Sequence, residues 1–255
     1  MTEEPYRWLE AIQNRREYIE DQLKSASPIV AIHGSPGILL MTLKASTPKL
    51  FEIYDHLALA CLGHPADMEK VRQAAIDTAH VEGFNRSPQD VSSRRLVNYA
   101  LAPAMKNGFE QIFAAPIMIR AILAEVGATA SDDHAWVLEY DGSFAATDSD
   151  QLSKGVLISG THSPRDRWQS ILPTISTEAC RSWRELGVSA LRILLLARDS
   201  SESDPNTIWQ SFSGNLSELL SKLANDRLEM VILERDQLAS GITFRQFSPD
   251  ELAAS

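Results

Sequence analysis

The sequence predicts an α+β fold of the four-layer αββα type, in which two β-sheets lie between two layers of helices and an amphipathic helix precedes the first strand. Strand-like runs occur in blocks that pairs of helices separate, whereas a doubly wound sheet interleaves single strands with single helices. The 255 residues contain no internal repeat and no linker between two cores. One domain over residues 1–255 is therefore expected.

The first elements are an amphipathic helix and two strand pairs. Residues 6–24 place apolar side chains among dense charges at helical spacing. Short apolar runs bounded by turn residues then predict strands at 29–33, 38–43, 49–54 and 57–62, with the first two joined by the tight turn Gly34-Ser35-Pro36-Gly37.

The spacing of the apolar residues then changes from every second residue to every third or fourth residue. Residues 66–83 predict a helix that stops at Gly83, and Ser87-Pro88 provides the cap and first-turn proline of a second helix to about 109, which Pro103 should end or bend. The remaining predictions are strands at 117–126, 135–140, 143–146 and 156–160, helices at 163–172 and 178–198, a polar loop at 199–213, a short helix at 216–223, and closing strands at 228–234 and 242–247.

Charge and hydropathy exclude several classes of protein. The chain has 24 Lys+Arg against 34 Asp+Glu and a formal charge of −10, which argues against a nucleic-acid-binding surface. No stretch approaches the roughly 20 apolar residues of a membrane helix. The acidic start lacks the basic and apolar regions of a signal peptide. A soluble, cytoplasmic protein without a membrane or nucleic-acid partner is expected.

Single residues do not identify a reaction. Cys61 and Cys180 form no metal or redox motif, and the histidines show no ligand spacing, so neither a metal nor another cofactor is expected. The Gly34–Gly37 turn lacks the Gly-x-Ser-x-Gly spacing of a nucleophile elbow. Residues 160–164 lack the Gly-Lys-Ser/Thr of a P-loop and are interpreted as a strand-to-helix cap.

Ordered short motifs nevertheless resemble those of proteasome α-type subunits, most closely the bacterial ones. The family shares an opening helix, a first strand pair, a Lys-containing strand, a Gly-plus-helix start and a middle hairpin. The matching segments here are Arg15–Glu20, Ser27–Ile32, Gly37–Leu40, Lys49–His56, Gly63–Asp67, Ala124–Gly127 and Leu138–Phe144. This resemblance covers about residues 6–250 and is weakest at 165–225. It implies the sandwich of the N-terminal-nucleophile hydrolases.

Residue identities distinguish the two classes of subunit in that family. Catalytic β subunits use a free N-terminal Thr together with an acid and a lysine. The strand pattern aligns those positions with Ser27, Leu43 and Lys49. An apolar Leu43 cannot orient a charged lysine, and Ser27 lies behind a helix, so no catalytic residue is expected. A self-processing amidohydrolase or peptidase that uses Ser27 remains an alternative, as does a ring-forming scaffold without a β partner.

The resemblance also implies a role. Seven α copies would form a ring on a β ring that holds the threonine protease, and the α ring would gate the particle and dock a ring-shaped ATPase. Residues 1–24 would form the gate segment and ring-face helix, with Met1, Thr2, Glu3, Glu4 and Pro5 as the mobile plug, and residues 28–250 the sandwich. Trp8, Ile12, Ile19 and Leu23 are expected to pack against neighbouring subunits.

A docking pocket is the most specific expectation from this resemblance. It assigns Lys49 to the ATPase C-terminal carboxylate, Gly63 and His64 to the pocket lining at a helix N-terminus, and Asp21 to the pocket rim. In the alternative interpretation, Lys49 snorkels from a strand end and His64 is an ordinary helix-start residue.

Overall fold

A computed structural model describes residues 4–111, 113–172, 180–199, 204–212, 216–223 and 227–254. The strands are β1 (Ile29–Gly34), β2 (Gly37–Leu43), β3 (Leu50–Tyr54), β4 (Leu57–Gly63), β5 (Ile119–Glu125), β6 (His134–Leu138), β7 (Phe144–Thr147), β8 (Val156–Ile158), β9 (Leu228–Glu234) and β10 (Phe244–Gln246). The helices are α1 (Glu4–Leu23), α2 (Pro65–Asn85), α3 (Ser93–Leu96), α4 (Ala102–Glu110), α5 (Ser149–Lys154), α6 (Ser163–Ile171), α7 (Trp183–Arg198), α8 (Pro205–Ser211), α9 (Leu216–Ser221) and α10 (Pro249–Ala254).

The strands form two antiparallel sheets. The first sheet has the order β10-β9-β2-β1-β8, and the second has the order β3-β4-β5-β6-β7. The pairing of Gly34 with Gly37 leaves Ser35 and Pro36 as a two-residue turn, as predicted for the first hairpin. Consecutive strands of the second sheet are neighbours, so the sheet is a simple meander.

The central strands are buried on both faces because alternate side chains enter two different cores. In β1, Ile29 and Ala31 contribute to a core with β4 and β5, and Val30 and Ile32 contribute to a core with α6 to α9. The opposite face of the second sheet, including Leu59, packs with residues of α2 and α4. The two sheets therefore share one core, and helices cover the other face of each.

Helix α1 is fixed to the body of the protein by its last turns. Ile19 and Leu23 are buried in the core that the two sheets share. The expectation that these two side chains pack against neighbouring subunits is wrong, because the protein's own sheets cover them. Trp8 is 51% exposed, Ile12 is half-buried and Tyr18 is also exposed, so α1 keeps some apolar surface open to solvent.

Most predicted elements are confirmed to within a few residues, but several need correction. The predicted loop at 199–213 contains α8, since Asp204 caps that helix and Pro205 occupies its first turn. The predicted helix from 178 begins at Trp183, where Ser182 and Glu185 form a capping box; residues 178 and 179 lie outside the described residues. Helices α5 and α10 were not predicted.

The predicted helix from 87 to 109 is divided into four short pieces. Ser87 caps only a 3₁₀ turn, and α3 begins at Ser93. A π turn over Val97–Leu101 follows and leads directly into α4, which carries Pro103 in its first turn. Proline has no N–H to donate to the preceding turn, so the register changes just ahead of it.

The N-terminal segment differs from the expectation at its boundary. Helix α1 begins at Glu4, so Glu4 and Pro5 belong to its first turn instead of preceding it. Met1, Thr2 and Glu3 lie outside the described residues. No helix among the described residues is long and apolar enough to span a membrane.

Candidate functional site

Lys49 lies at the turn that leads into β3. Its carbonyl oxygen accepts a hydrogen bond of 2.9 Å from the N–H of Cys61, so its backbone lies beside β4. The residue is only 6% exposed. Burial lowers the pKa of its ammonium group, and the charge of Glu229 offsets part of that effect. The lysine is therefore a buried cation whose described acidic neighbour is Glu229.

Glu229 of β9 contacts the same turn from the other sheet. Its Oε1 accepts hydrogen bonds from the backbone N–H of Lys49 at 2.9 Å and of Leu50 at 3.0 Å. Its Oε2 is buried without a hydrogen-bond partner among the described residues. The carboxylate therefore links the first sheet to the edge strand of the second.

Gly63 and His64 form the junction between β4 and α2. Gly63 has φ +131°, and a Cβ at this position would lie 2.1 Å from the carbonyl oxygen of Met118, so the junction requires glycine. The N–H of His64 donates to that same oxygen at 3.0 Å, and its Nδ1 caps α2 by accepting from the N–H of Ala66. His64 is exposed at the helix N-terminus.

The last turn of α1 lies against this junction. Leu23 Cδ2 is 3.0 Å from the position that a Cβ on Gly63 would occupy. The Leu23 carbonyl similarly packs against Gly160, where a Cβ would lie 2.0 Å from its oxygen. Asp21 is in the same turn and is exposed. The fold thus brings Gly63 and His64 against the last turn of α1, which also carries the exposed Asp21.

Lys49 is associated with that neighbourhood through its backbone. Cys61, whose N–H donates to the Lys49 carbonyl, precedes Gly63 by two residues on β4. Among the described residues, no hydrogen bond or ion pair joins the Lys49 side chain to His64 or Asp21. The segments that carry the four predicted residues therefore lie near one another, but Lys49 is buried, and a pocket formed by these residues stays a prediction.

The positions aligned with the catalytic residues also lie at one end of the first sheet. Ser27 is half-buried and follows α1 by four residues. Pro28 and Thr42 are joined across the hairpin, since Thr42 Oγ1 donates to the Pro28 carbonyl at 2.8 Å. Leu43 is buried in the core formed with the helices. The acid that acts on Lys49 is Glu229, which comes from a different strand.

Sequence reasoning missed a buried arginine at the base of α1. Arg120 of β5 is 2% exposed and donates to Glu20 Oε1 at 2.5 Å and to Glu139 Oε2 at 2.6 Å. It also donates to the carbonyls of Ser159 and Gly160, each at 2.8 Å. Burial would raise the pKa of Glu20, but hydrogen bonds from Arg120 and Tyr140 lower it. A lone arginine in an otherwise apolar strand was the available signal.

A second buried ionic cluster lies at the opposite end of the first hairpin. Asp133 is 1% exposed and contacts His33 Nδ1 at 2.8 Å and Arg235 Nη2 at 2.6 Å. Arg235 also donates to the carbonyls of Gly34 and Gly127. Burial would raise the pKa of Asp133, but the hydrogen bonds from Arg235 and His33 lower it. This cluster joins the two sheets, and it explains why an arginine, Arg235, follows β9: its guanidinium pairs with the buried Asp133.

A third cluster surrounds Glu125 at the end of β5. Its carboxylate lies 3.2 Å from His134 Nε2 and 3.7 Å from His56 Nε2, and it accepts from the N–H and Oγ of Ser93 at 2.7 and 2.5 Å. Burial would raise the pKa of Glu125, but these hydrogen bonds lower it. The bond to Glu125 raises the pKa of His134, whose Nδ1 also faces the Asp132 carbonyl.

This cluster makes the stability of the fold depend on pH in a defined direction. The lowered pKa of Glu125 stabilises the fold above its ordinary value of 4.5, and that contribution is lost as pH falls through the folded value. The raised pKa of His134 stabilises the fold below its ordinary value of 6.5, and that contribution is lost as pH rises through the folded value. The pair therefore contributes most between these two ordinary values.

Glu125→Gln is expected to lower the free energy of unfolding by about 2 kcal/mol at pH 5.5, and by less at pH 8.5, because the contribution of protonated His134 falls as pH rises. Urea denaturation at both pH values measures this difference. Glu82→Gln, which removes a surface ion pair with Arg95, is the control and should have the same small effect at both. An equal loss at both pH values for Glu125→Gln would exclude the charged pair with His134.

The described residues include no group of three or more His, Cys, Asp or Glu side chains that could hold a metal ion. The three clusters pair acids with arginine or histidine inside the protein, and their geometry fits structural roles. At the start of α2, beside Gly63, the exposed His64 provides a polar side chain at a helix N-terminus.

Comparison with known proteins gives one consistent result. No family profile matches the chain. The proteasome subunit alpha of Actinosynnema mirum is 27% identical over 245 residues, which cover 95% of this chain and 83% of that protein. The proteasome subunit alpha of Paenarthrobacter aurescens is 28% identical over 209 residues, or 75% and 85% of the two chains. That of Pseudarthrobacter chlorophenolicus is 31% identical over 139 residues, which cover 52% of this chain and 57% of the relative.

Proposed function

We propose that this chain, which belongs to the proteasome α-type subunits, is a non-catalytic subunit of the outer ring of a 20S proteasome-like particle. The observation that carries the proposal is a similarity to proteasome α subunits that extends over 95% of the chain and therefore includes both sheets. The position of α1 ahead of β1 supports the same assignment.

The finer fold assignment is the four-layer αββα sandwich of the N-terminal-nucleophile hydrolases. Two observations support it. The two sheets share one apolar core, and helices cover the outer face of each sheet. The positions of Ser27, Leu43 and Lys49 at one end of the sandwich agree with the family's strand order.

The proposal places protease activity in β-type partner subunits, which would carry the catalytic threonine. Ser27 lies inside the chain, between α1 and β1, and the buried Leu43 offers no carboxylate to Lys49. A hydroxyl without an adjacent free amine or other base is a weak nucleophile. The α-type chain itself would then hydrolyse nothing.

The purified chain is therefore expected to keep its N-terminus and to hydrolyse no peptide substrate. Intact-mass spectrometry and a fluorogenic peptide assay measure these two properties. Ser27→Ala is the matched control and should behave as the parent chain does. A species that begins at Ser27, with hydrolysis that Ser27→Ala abolishes, would instead establish a self-processing hydrolase.

Gating and docking complete the proposed role in the cytoplasm. Met1, Thr2 and Glu3, which precede α1, would restrict passage through the ring, and a ring-shaped ATPase would place its C-terminal carboxylate at Lys49. The exposed His64 at the start of α2, the exposed Asp21 on α1 and the packing of Leu23 on Gly63 support a pocket here. Neighbouring α subunits would complete it, since Trp8 and Leu9 leave apolar surface on α1 exposed.

A further inference from the structure

We propose that Glu229 is the positioning residue for Lys49, because its Oε1 holds the turn that sets where the lysine side chain begins. This inference rests on the proposed docking function of Lys49. It adds a residue from a distant part of the chain, 180 positions from Lys49.

The geometry of the two hydrogen bonds is informative. In an extended strand, successive N–H groups point in opposite directions, yet those of Lys49 and Leu50 both donate to one oxygen of Glu229, at 2.9 and 3.0 Å. Successive N–H groups that converge on one point form an anion-binding concavity. The turn before β3 is therefore shaped around a carboxylate that the protein itself supplies.

The backbone of Glu229 is held in place by its strand, so its carboxylate can fix the position of the turn. It lies in β9 opposite Thr42 of β2, within a pairing that extends over the whole of both strands. The link therefore joins the interior of the first sheet to the edge of the second. A shift of the Glu229 carboxylate would move the Lys49 backbone relative to Gly63.

The burial of Glu229 and Lys49 supports the same role. Its Oε2 is buried and has no hydrogen-bond partner among the described residues. Lys49 is 6% exposed and has Glu229 as the acid that acts on it. A lysine with so little exposed surface cannot adapt its reach to a ligand, so docking depends on where its backbone is held.

Two conservative variants separate the hydrogen-bonding role from the charge. Glu229→Gln keeps the length of the side chain and an oxygen acceptor but removes the charge. Glu229→Asp keeps the charge but shortens the side chain by one CH₂ group, which moves the acceptor out of reach of the turn. Glu234→Asp is the matched control. It shortens, by the same one CH₂ group, a side chain at the other end of the same strand that forms a surface ion pair with Arg245.

The affinity of a C-terminal peptide of the ATPase for assembled particles is the measurement, with particle mass recorded for each variant. We expect Glu229→Asp to weaken binding by about 10-fold, and Glu229→Gln and Glu234→Asp to change it by less than about 3-fold, at unchanged particle mass. Hydrogen exchange at the Lys49 and Leu50 amides should accelerate in Glu229→Asp and stay near the parent rate in Glu229→Gln.

Lys49→Ala, measured in the same assay, distinguishes the two proposals. If Lys49→Ala weakens binding and Glu229→Asp leaves both binding and amide exchange unchanged, the positioning role of Glu229 is overturned and the docking function stands. If Lys49→Ala leaves binding unchanged, the docking function fails and the positioning role fails with it. Weakening by Lys49→Ala and Glu229→Asp, with normal binding by Glu229→Gln, supports both.

Discussion

Lys49→Ala is expected to weaken binding of an ATPase C-terminal peptide to assembled particles by about 5- to 150-fold. In the proposed pocket, the ammonium group would be the cation that meets a terminal carboxylate, and a partly shielded ion pair contributes about 1–3 kcal/mol. Particle mass should not change, because the Lys49 backbone makes the hydrogen bonds that join it to Cys61 and Glu229. Fluorescence anisotropy with a labelled peptide gives the affinity.

Lys44→Ala is the matched control, since it removes an exposed lysine five positions away. It should leave the affinity within about 3-fold of the parent value, as expected for a solvent-exposed charge. Lys49→Arg should restore binding only in part, because the planar guanidinium differs in shape from the compact ammonium. Equal binding by Lys49→Ala and the parent particle would remove Lys49 from the pocket.

Arg120→Met is expected to lower the free energy of unfolding by about 3–5 kcal/mol, the largest effect on stability predicted for this chain. Removing one partner from a buried ion pair leaves the other charges without compensation. Here the variant removes the guanidinium that Glu20 and Glu139 share, and it removes the Arg120 donor from the carbonyls of Ser159 and Gly160. Chemical denaturation measures the loss.

Arg165→Met is the control for Arg120→Met. Arg165 also pairs with Glu139, at 3.2 Å, but its side chain is 30% exposed. Removal of the Arg165 charge should lower the free energy of unfolding by less than about 1 kcal/mol. Because Arg120 joins α1 to β5, Arg120→Met should also increase protease cleavage within α1. Similar losses for the two variants, with α1 equally protected, would show that the Arg120 cluster does not fix the helix.

The fold was predictable because most elements carry local signals. The hairpin through Gly34–Gly37 and the helix that begins at Pro65 follow from turn residues and periodicity within a few positions. The error at α8 has the same origin, since a segment rich in Ser, Asp and Asn was interpreted by composition although Asp204-Pro205 is a helix-start signal. Local chemistry thus accounts for both the correct and the wrong assignments.

The candidate site was predictable only in part, because its key contacts are distant in sequence. The resemblance to proteasome α-type subunits assigns Gly63 and His64 to the pocket, and the structure places both residues at the junction between β4 and α2. Glu229 lies 180 residues from Lys49, and Arg120 lies 100 residues from Glu20. Periodicity and spacing within one element do not indicate which acidic side chain contacts which basic side chain of a distant element. The burial of Lys49 follows from the same long-range packing.

The most direct test of the central claim is the mass of the particle that this chain forms with a β-type subunit of the same organism. Co-expressed chains should give particles of several hundred kilodaltons by mass photometry, with an α ring outside a β ring in electron micrographs. Trp8→Glu, which places a charge on the exposed apolar surface of α1, should reduce the yield of these particles. A chain that stays strictly monomeric beside its β partner would contradict the α-ring assignment.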